Sequence, residues 1–212
     1  MTTSYGPETK IDELAFCFLD IETTGLSPAT GGKICEVAII KSGTAGRLDT
    51  YSQLINPRCL IPEAVIRIHG ITNDMVNDKP AFSQAAPAML DFLENSVVVC
   101  HNADFDVPFM AYEFAAIGLR FPPLTILDTL KFARKHAKFK SNRLGNIAIE
   151  LGFSNDGWHR ALNDAAMTEK LFMHFVGKFR ACGAETLGAL TDLQTGKKAG
   201  INKERTNERI SF

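Results

Sequence analysis

Apolar positions in the first quarter of the chain fall in short runs of strand length, and from about residue 80 helical spacing takes over. Residues 14–19 form an apolar run that ends at Asp20 and breaks at Gly25; residues 34–40 form a second, and residues 50–55 a third that stops at Asn56-Pro57. Turn residues at 27–32, and Gly43 with Gly46, join these runs tightly, which predicts an antiparallel meander. Residues 62–70 open on proline and close on glycine, the ends of a short helix. Phe82, Ala85, Ala86, Met89, Leu90 and Leu93 give helical spacing across 81–94, and residues 97–100 form a short, fully apolar strand. A second long helix is expected from about Asp104 or Asp106 to Ile117, ending at Gly118, with Pro108 tolerated in its first turn. Residues 124–128 read as a fifth strand, followed by helices over 129–137, 144–151, 160–180 and about 185–193. Strands first, then alternating strands and helices, predict an α/β layer fold on a mixed sheet.

A chain of 212 residues fits one substantial domain, here expected over 13–194 between a loose lead-in (1–12) and a polar tail (195–212). No apolar run is long enough to cross a bilayer, and the polar N-terminus lacks the core of a signal peptide, so a cytoplasmic protein without membrane contact is expected. The five cysteines are scattered and none has CxxC spacing, which points to free thiols in a reducing compartment rather than to disulfides or zinc. A net charge of −1 means that any nucleic-acid contact must come from local patches. One candidate patch is the acid-free stretch holding Lys131, Arg134, Lys135, Lys138, Lys140 and Arg143, which reads either as a solvated face or as a phosphate track.

Asp20 and Glu22 are two residues apart at the end of the first strand, so both side chains leave the same face. Paired carboxylates at a buried strand end repel one another and lose hydration, and a cation between them relieves both costs. Asp106 follows the fourth strand near a helix start, where capping is an equally good reading, and Asp104 competes for the cap. Asp164 lies at the start of the long helix, where an acid is favoured by the helix dipole in any case. His159 precedes it by five residues and shares its face only if the histidine lies off the helix and bends back. Together these are four acids and one histidine at the ends of core elements. Oxygen ligands of this kind suit Mg²⁺ or Mn²⁺. Two such ions about 3.5–4 Å apart support phosphodiester cleavage. A histidine, ordinarily titrating at about pH 6.5, is a natural base for the attacking water.

Asp20-x-Glu22 with Thr23-Thr24-Gly25-Leu26, His101-Asn102-x-x-Phe105-Asp106, and His159-x-Ala161-x-x-Asp164 resemble the three motifs of the DEDDh (DnaQ-like) 3′–5′ exonucleases. Within that family, the glutamate–threonine–threonine–glycine–leucine turn and His69-Gly70-Ile71-Thr72 look more like proofreading subunits of bacterial DNA polymerase III than like oligoribonucleases. The resemblance implies an RNase H-like three-layer fold, a mixed five-stranded sheet flanked by helices. It further implies two Mg²⁺ ions held by Asp20, Glu22, Asp106 and Asp164, with Mn²⁺ as a substitute and His159 as general base. Carried over by motif, Thr23, Thr24 and Gly25 would meet the 3′ end, Leu26 would wedge against the terminal base, Asn102 and Phe105 would line the pocket, and His69 would face the substrate. Leu26 and Phe105 are equally ordinary core residues. Asp128 is expected as a helix cap rather than as an acid supporting the site. The implied substrate is the 3′ end of single-stranded DNA, with a DNA polymerase subunit as a partner in trans. RNA trimming and a non-catalytic nucleic-acid-binding module are the competing readings.

Overall fold

In the computed structural model, which describes residues 5–153 and 159–197, the early apolar runs pair as an antiparallel meander. These are β1 (Phe16–Thr23), β2 (Ile34–Gly43) and β3 (Gly46–Leu54). Helices α1 (Glu63–His69), α2 (Asn73–Asn77) and α3 (Phe82–Leu93) lead to β4 (Val97–Cys100), and α4 (Ala103–Ala116) leads to β5 (Ile126–Asp128). The chain closes with α5 (Thr129–His136), α6 (Leu144–Glu150), α7 (Ala161–Ala181) and α8 (Leu187–Thr195). Strand order is β3-β2-β1-β4-β5, and β4 pairs parallel with both β1 and β5, so the five-stranded sheet is mixed.

Strand alternation divides the core in two. Phe16, Phe18, Ala38, Ile40, Val97 and Val99 point to one face, where Phe172, Phe175 and Phe179 of α7 cover them with Phe132 of α5. Cys17, Leu19, Val37, Ile39 and Val98 point to the other, beneath Met89 of α3 and Phe109 and Phe114 of α4. Helices on both faces make three layers, since a sheet buried on both sides needs a cover on each. β1 lies at the centre and is buried from Phe16 to Leu19.

Three details differ from the pattern reading. Helix α4 begins at Ala103, so Pro108 is its sixth residue and lies beyond the first turn; its missing N–H leaves the Asp104 carbonyl without a helical partner. Helix α2 is one short stretch capped by the Thr72 hydroxyl, too brief for periodicity to reveal. Of the expected loose lead-in, residues 5–12 are packed: Ile11 is fully buried, its N–H donates to the Glu185 carbonyl, and Lys10 bridges to Thr186. One apolar side chain with a core to enter fixes that segment. From Lys198 on, the expected tail lies outside the described residues, as does Trp158. Among the described residues no helix is long and apolar enough to cross a membrane.

Candidate active site

Phe16 and Phe18 of β1 pack on Phe172 of α7 with ring centroids 4.9 and 5.6 Å apart. The next two side chains on that face are Asp20 and Glu22. Asp164, in the first turn of α7, meets them from above, and one oxygen from each of the three lies within 4.8 Å of the others. Asp106 comes from α4 and stands against Asp20 rather than within that trio; its carboxylate accepts from the Ile21 N–H and from its own.

These acids cannot comfortably all be charged. Burial, then the charges of Asp106, Asp164, Glu22 and Glu36, holds Asp20 well above the usual carboxylate range. Burial and then Asp164, Glu36 and Asp106 push Glu22 up to about 8. Burial raises Asp106 despite its two backbone donors, and raises Asp164 despite the neighbouring His159. Oδ1 of Asp164 is buried with no hydrogen-bond partner. Hard oxygen donors, mutual repulsion and an orphaned lone pair are what a divalent cation would neutralise, so the residues present fit such an ion.

His159 does lie off the helix. Its backbone is left-handed, with φ 63°, one residue before Arg160, the N-cap of α7. This turn lets its N–H reach the Asp164 carboxylate and leaves its side chain in solvent. The turn is held by Glu36, which faces Glu22 across the β1–β2 register and is only 2% exposed. Both Glu36 oxygens accept from Arg160 Nε at 3.1 Å, Oε1 accepts from Nη2 at 2.6 Å, and Oε2 accepts from the Ala161 N–H at 3.0 Å. Nothing local signals this pair. The available clue is an acid inside the otherwise apolar run 34–40, because a buried carboxylate needs a partner.

Asp128 caps α5 through the Leu130 N–H, as expected, and also supports the site. Its two oxygens accept from the N–H groups of Asn102 and Ala103 at 3.0 and 3.2 Å, fixing the left-handed Asn102 that starts α4 and so aims Asp106. His101 adds a second tie. The Asn142 carbonyl can only accept, so Nε2 of His101 donates to it at 2.9 Å, and Nδ1 lies within hydrogen-bond distance of the Thr129 hydroxyl at 2.8 Å.

The remaining candidates flank the carboxylates. The hydroxyls of Thr23 and Thr24 are turned inward: Thr23 donates to the Gly25 carbonyl at 2.7 Å and Thr24 accepts from the Lys33 N–H at 3.0 Å. The Thr24 N–H is likewise committed, to the Lys33 carbonyl at 2.8 Å, and Leu26 stands 89% exposed beyond this turn. Phe105 packs on Phe109 at 5.1 Å, half-buried, and Asn102 is exposed. His69 was expected to face the substrate, but it is buried. Its Nδ1 accepts from the Ile71 N–H at 3.0 Å, and its other nitrogen is turned toward the Thr23 backbone and Cys35, because the tight Gly70 turn closing α1 folds the ring inward. It touches the site through the Thr23 backbone.

Comparison with known proteins agrees with this arrangement. The exonuclease family pattern (RNase_T) matches residues 17–172. The chain is 34% identical over 169 residues to the DNA polymerase III subunit epsilon of Buchnera aphidicola subsp. Schizaphis graminum, covering 73% of this chain and 71% of that protein. It is 33% identical over 188 residues to the PolC-type DNA polymerase III of Thermotoga petrophila, covering 88% of this chain but only 14% of that protein. A solved structure of exonuclease X in complex with 5′-overhanging duplex DNA superposes with a TM-score of 0.68 at 24% identity, over 85% of this chain and 99% of that one, a likeness of fold. The motifs, the mixed RNase H-like sheet and these matches place one conclusion beyond the pattern reading: the chain belongs to the exonuclease (RNase_T) family, in its DEDDh, DnaQ-like branch.

Proposed function

We propose that this chain is a metal-dependent 3′–5′ exonuclease that releases nucleoside monophosphates from the 3′ end of single-stranded DNA. The observation that carries the reading is the meeting of Asp20, Glu22 and Asp164 within 4.8 Å, with His159 beside them. Asp20, Glu22, Asp106 and Asp164 would hold two Mg²⁺ ions, which when bound supply water activation and stabilise the leaving oxygen. His159 takes the proton of the attacking water, and its exposure at the rim of the carboxylates suits that role. The Thr23-Thr24-Gly25 turn receives the 3′ terminus, Leu26 rests against the terminal base, and Asn102 and Phe105 close the opposite wall. DNA as substrate is supported by the relatives named as polymerase III subunits and by the overhanging duplex in the exonuclease X structure. The epsilon match also supports a polymerase as partner in trans.

The test uses 5′-labelled DNA and RNA single strands of one sequence, with Mg²⁺ or EDTA, beside Asp20→Ala and His159→Ala. A ladder shortening from the 3′ end in Mg²⁺ alone, faster on DNA, lost in Asp20→Ala and severely slowed in His159→Ala, is the expected result. Faster loss of RNA would replace the proofreading-type reading with RNA trimming. Binding without cleavage would leave a nucleic-acid-binding module, and parental rates in His159→Ala would remove the general base.

A further inference from the structure

The sheet order ends at β5, a strand of three residues that pairs with β4 on one side and presents backbone N–H and C=O groups on the other. Gln194, in the last turn of α8, meets those groups. Its Oε1 accepts from the Asp128 N–H at 2.6 Å, and its Nε2 donates to the Ile126 carbonyl at 3.1 Å. These groups belong to the residues on either side of Leu127, the pair that one residue of a parallel neighbouring strand would engage. A carboxamide carries both the donor and the acceptor that this needs, so the Gln194 side chain stands in for a sixth strand. The end of α8 is also held by α5, where Nε2 of His136 donates to the Leu193 carbonyl at 2.9 Å.

We propose that Gln194 is a positioning residue of the active site: by closing the edge of β5 it fixes Asp128 and, through Asp128, the aim of Asp106. This rests on the reading of Asp106 as a metal ligand of the exonuclease centre. The path is short. Gln194 takes the main-chain N–H of Asp128, and the Asp128 carboxylate accepts from the N–H groups of Asn102 and Ala103 at 3.0 and 3.2 Å. Ala103 opens α4, and Asp106 is the fourth residue of that helix, buried against Asp20. A shift of Asp128 along or away from the sheet therefore moves the two N–H groups that set where α4 begins. β4 pairs with β5 through three residues, and Gln194 adds the opposite side, so Asp128 is clamped between a strand and a side chain. Closing a sheet edge would be served by any of its free groups; Gln194 takes the N–H of the residue whose carboxylate sets the start of α4. Groups that orient a metal ligand from behind typically change metal affinity or activity by about 10–100-fold when removed.

The experiment compares the parent with three variants. Gln194→Met keeps the volume and loses both bonds; Gln194→Glu keeps the acceptor and sets a second acceptor against the Ile126 carbonyl. Thr186→Ala is the control, since it removes the hydroxyl that caps the other end of α8 through the Ala189 N–H. Hydrogen exchange at the Asn102 and Ala103 amides is followed in EDTA, Mn²⁺ affinity by calorimetry, and kcat and KM on a single-stranded oligonucleotide in Mg²⁺, with urea midpoints for all four proteins. Both Gln194 variants should exchange the two amides about 5-fold faster, the equivalent of one net hydrogen bond. They should bind Mn²⁺ about 10-fold more weakly and lose about 10-fold in kcat with KM nearly unchanged. Thr186→Ala should lower the urea midpoint and leave the other readouts at parental values. If Gln194→Met folds poorly, Gln194→Glu carries the same comparison. Parental exchange and Mn²⁺ affinity in the Gln194 variants overturn the proposal. So do losses that Thr186→Ala reproduces at the same urea midpoint, which would make Gln194 a stabiliser of α8 alone. Faster exchange and weaker Mn²⁺ binding in the variants of a parent that hydrolyses nothing in Mg²⁺ support the positioning role and sink the exonuclease reading instead.

Discussion

Replacing Arg160 by alanine strands Glu36. The carboxylate would keep the Ala161 N–H and lose all three contacts from the guanidinium, while still facing Glu22 across the sheet. Removing one partner of a buried ion pair costs about 3–5 kcal/mol. The Arg160 side chain is 42% exposed, and solvent screens its share, so the lower end applies, about 3 kcal/mol. At about 2–4 °C per kcal/mol for a chain of this size, the melting temperature should fall by about 6–12 °C. Adding Glu36→Gln removes the stranded charge and eases the repulsion on Asp20, Glu22 and Asp164, so the double variant should melt above Arg160→Ala. Activity should not return with stability. The left-handed turn at His159 is braced by this pair, and a misplacement of about 1 Å costs about 100-fold in rate. Circular-dichroism melts of the parent, both single variants and the double, in metal-free buffer, give the stability cycle; kcat on a single-stranded oligonucleotide gives the other arm. If Arg160→Ala melts with the parent, or the double variant melts no higher than Arg160→Ala, Glu36 does not depend on its partner and the reasoning fails.

Asp128→Ala removes the acceptor of three N–H groups, two of them buried, at about 1 kcal/mol each, and should lower the free energy of unfolding in urea by about 2–3 kcal/mol; a loss under about 1 kcal/mol would mean water replaces it freely. In EDTA the folded chain binds protons that the unfolded chain releases, because Glu22 is raised to about 8 and Asp20 and Asp164 are raised with it. Stability should therefore rise as pH is lowered from about 9 to about 5, and Mg²⁺ should flatten that trend by favouring the charged acids; a melting temperature in EDTA that climbs with pH over this window would contradict it. Gly32→Ala puts a methyl group 2.8 Å from the Ser27 carbonyl oxygen and 3.1 Å from the Phe109 ring, backbone and packed ring alike, and should cost about 1–3 kcal/mol by urea denaturation, an unchanged midpoint counting against that close packing.

The central strands were legible because burial on both faces writes itself as continuous apolar sequence, and β1 shows its chemistry by ending that run in acids of one parity. Edge strand β3 was read only over 50–55, since Gly46–Asp49 are exposed and only pairing with β2 makes them a strand. The three acidic motifs were visible as local patterns, but the distances among them were not, nor was the exclusion of Asp106 from the trio, because each depends on how helices seat on the sheet. The supports were the hardest to see. Glu36 and Arg160 lie 124 positions apart, and Asp128 looks like an ordinary cap until the fold brings Asn102 over it. Of the six basic residues between 131 and 143, two, Arg134 and Arg143, line a cleft beside Asp164, a selection made by the path from α5 to α6 rather than by composition.

Asp164 lies 144 positions after Asp20, and only α7 carries it to β1. The candidate cation site is therefore a non-local contact, and its formation carries the entropy cost of closing that long loop. A chain that has made the sheet but not docked α7 holds Asp20 and Glu22 without their third partner, so the candidate cation site is incomplete until that helix is seated. A bound ion would act as a latch on the finished topology: it stabilises only the state in which α7 has docked, so the chain gains a reward for completing this long-range connection.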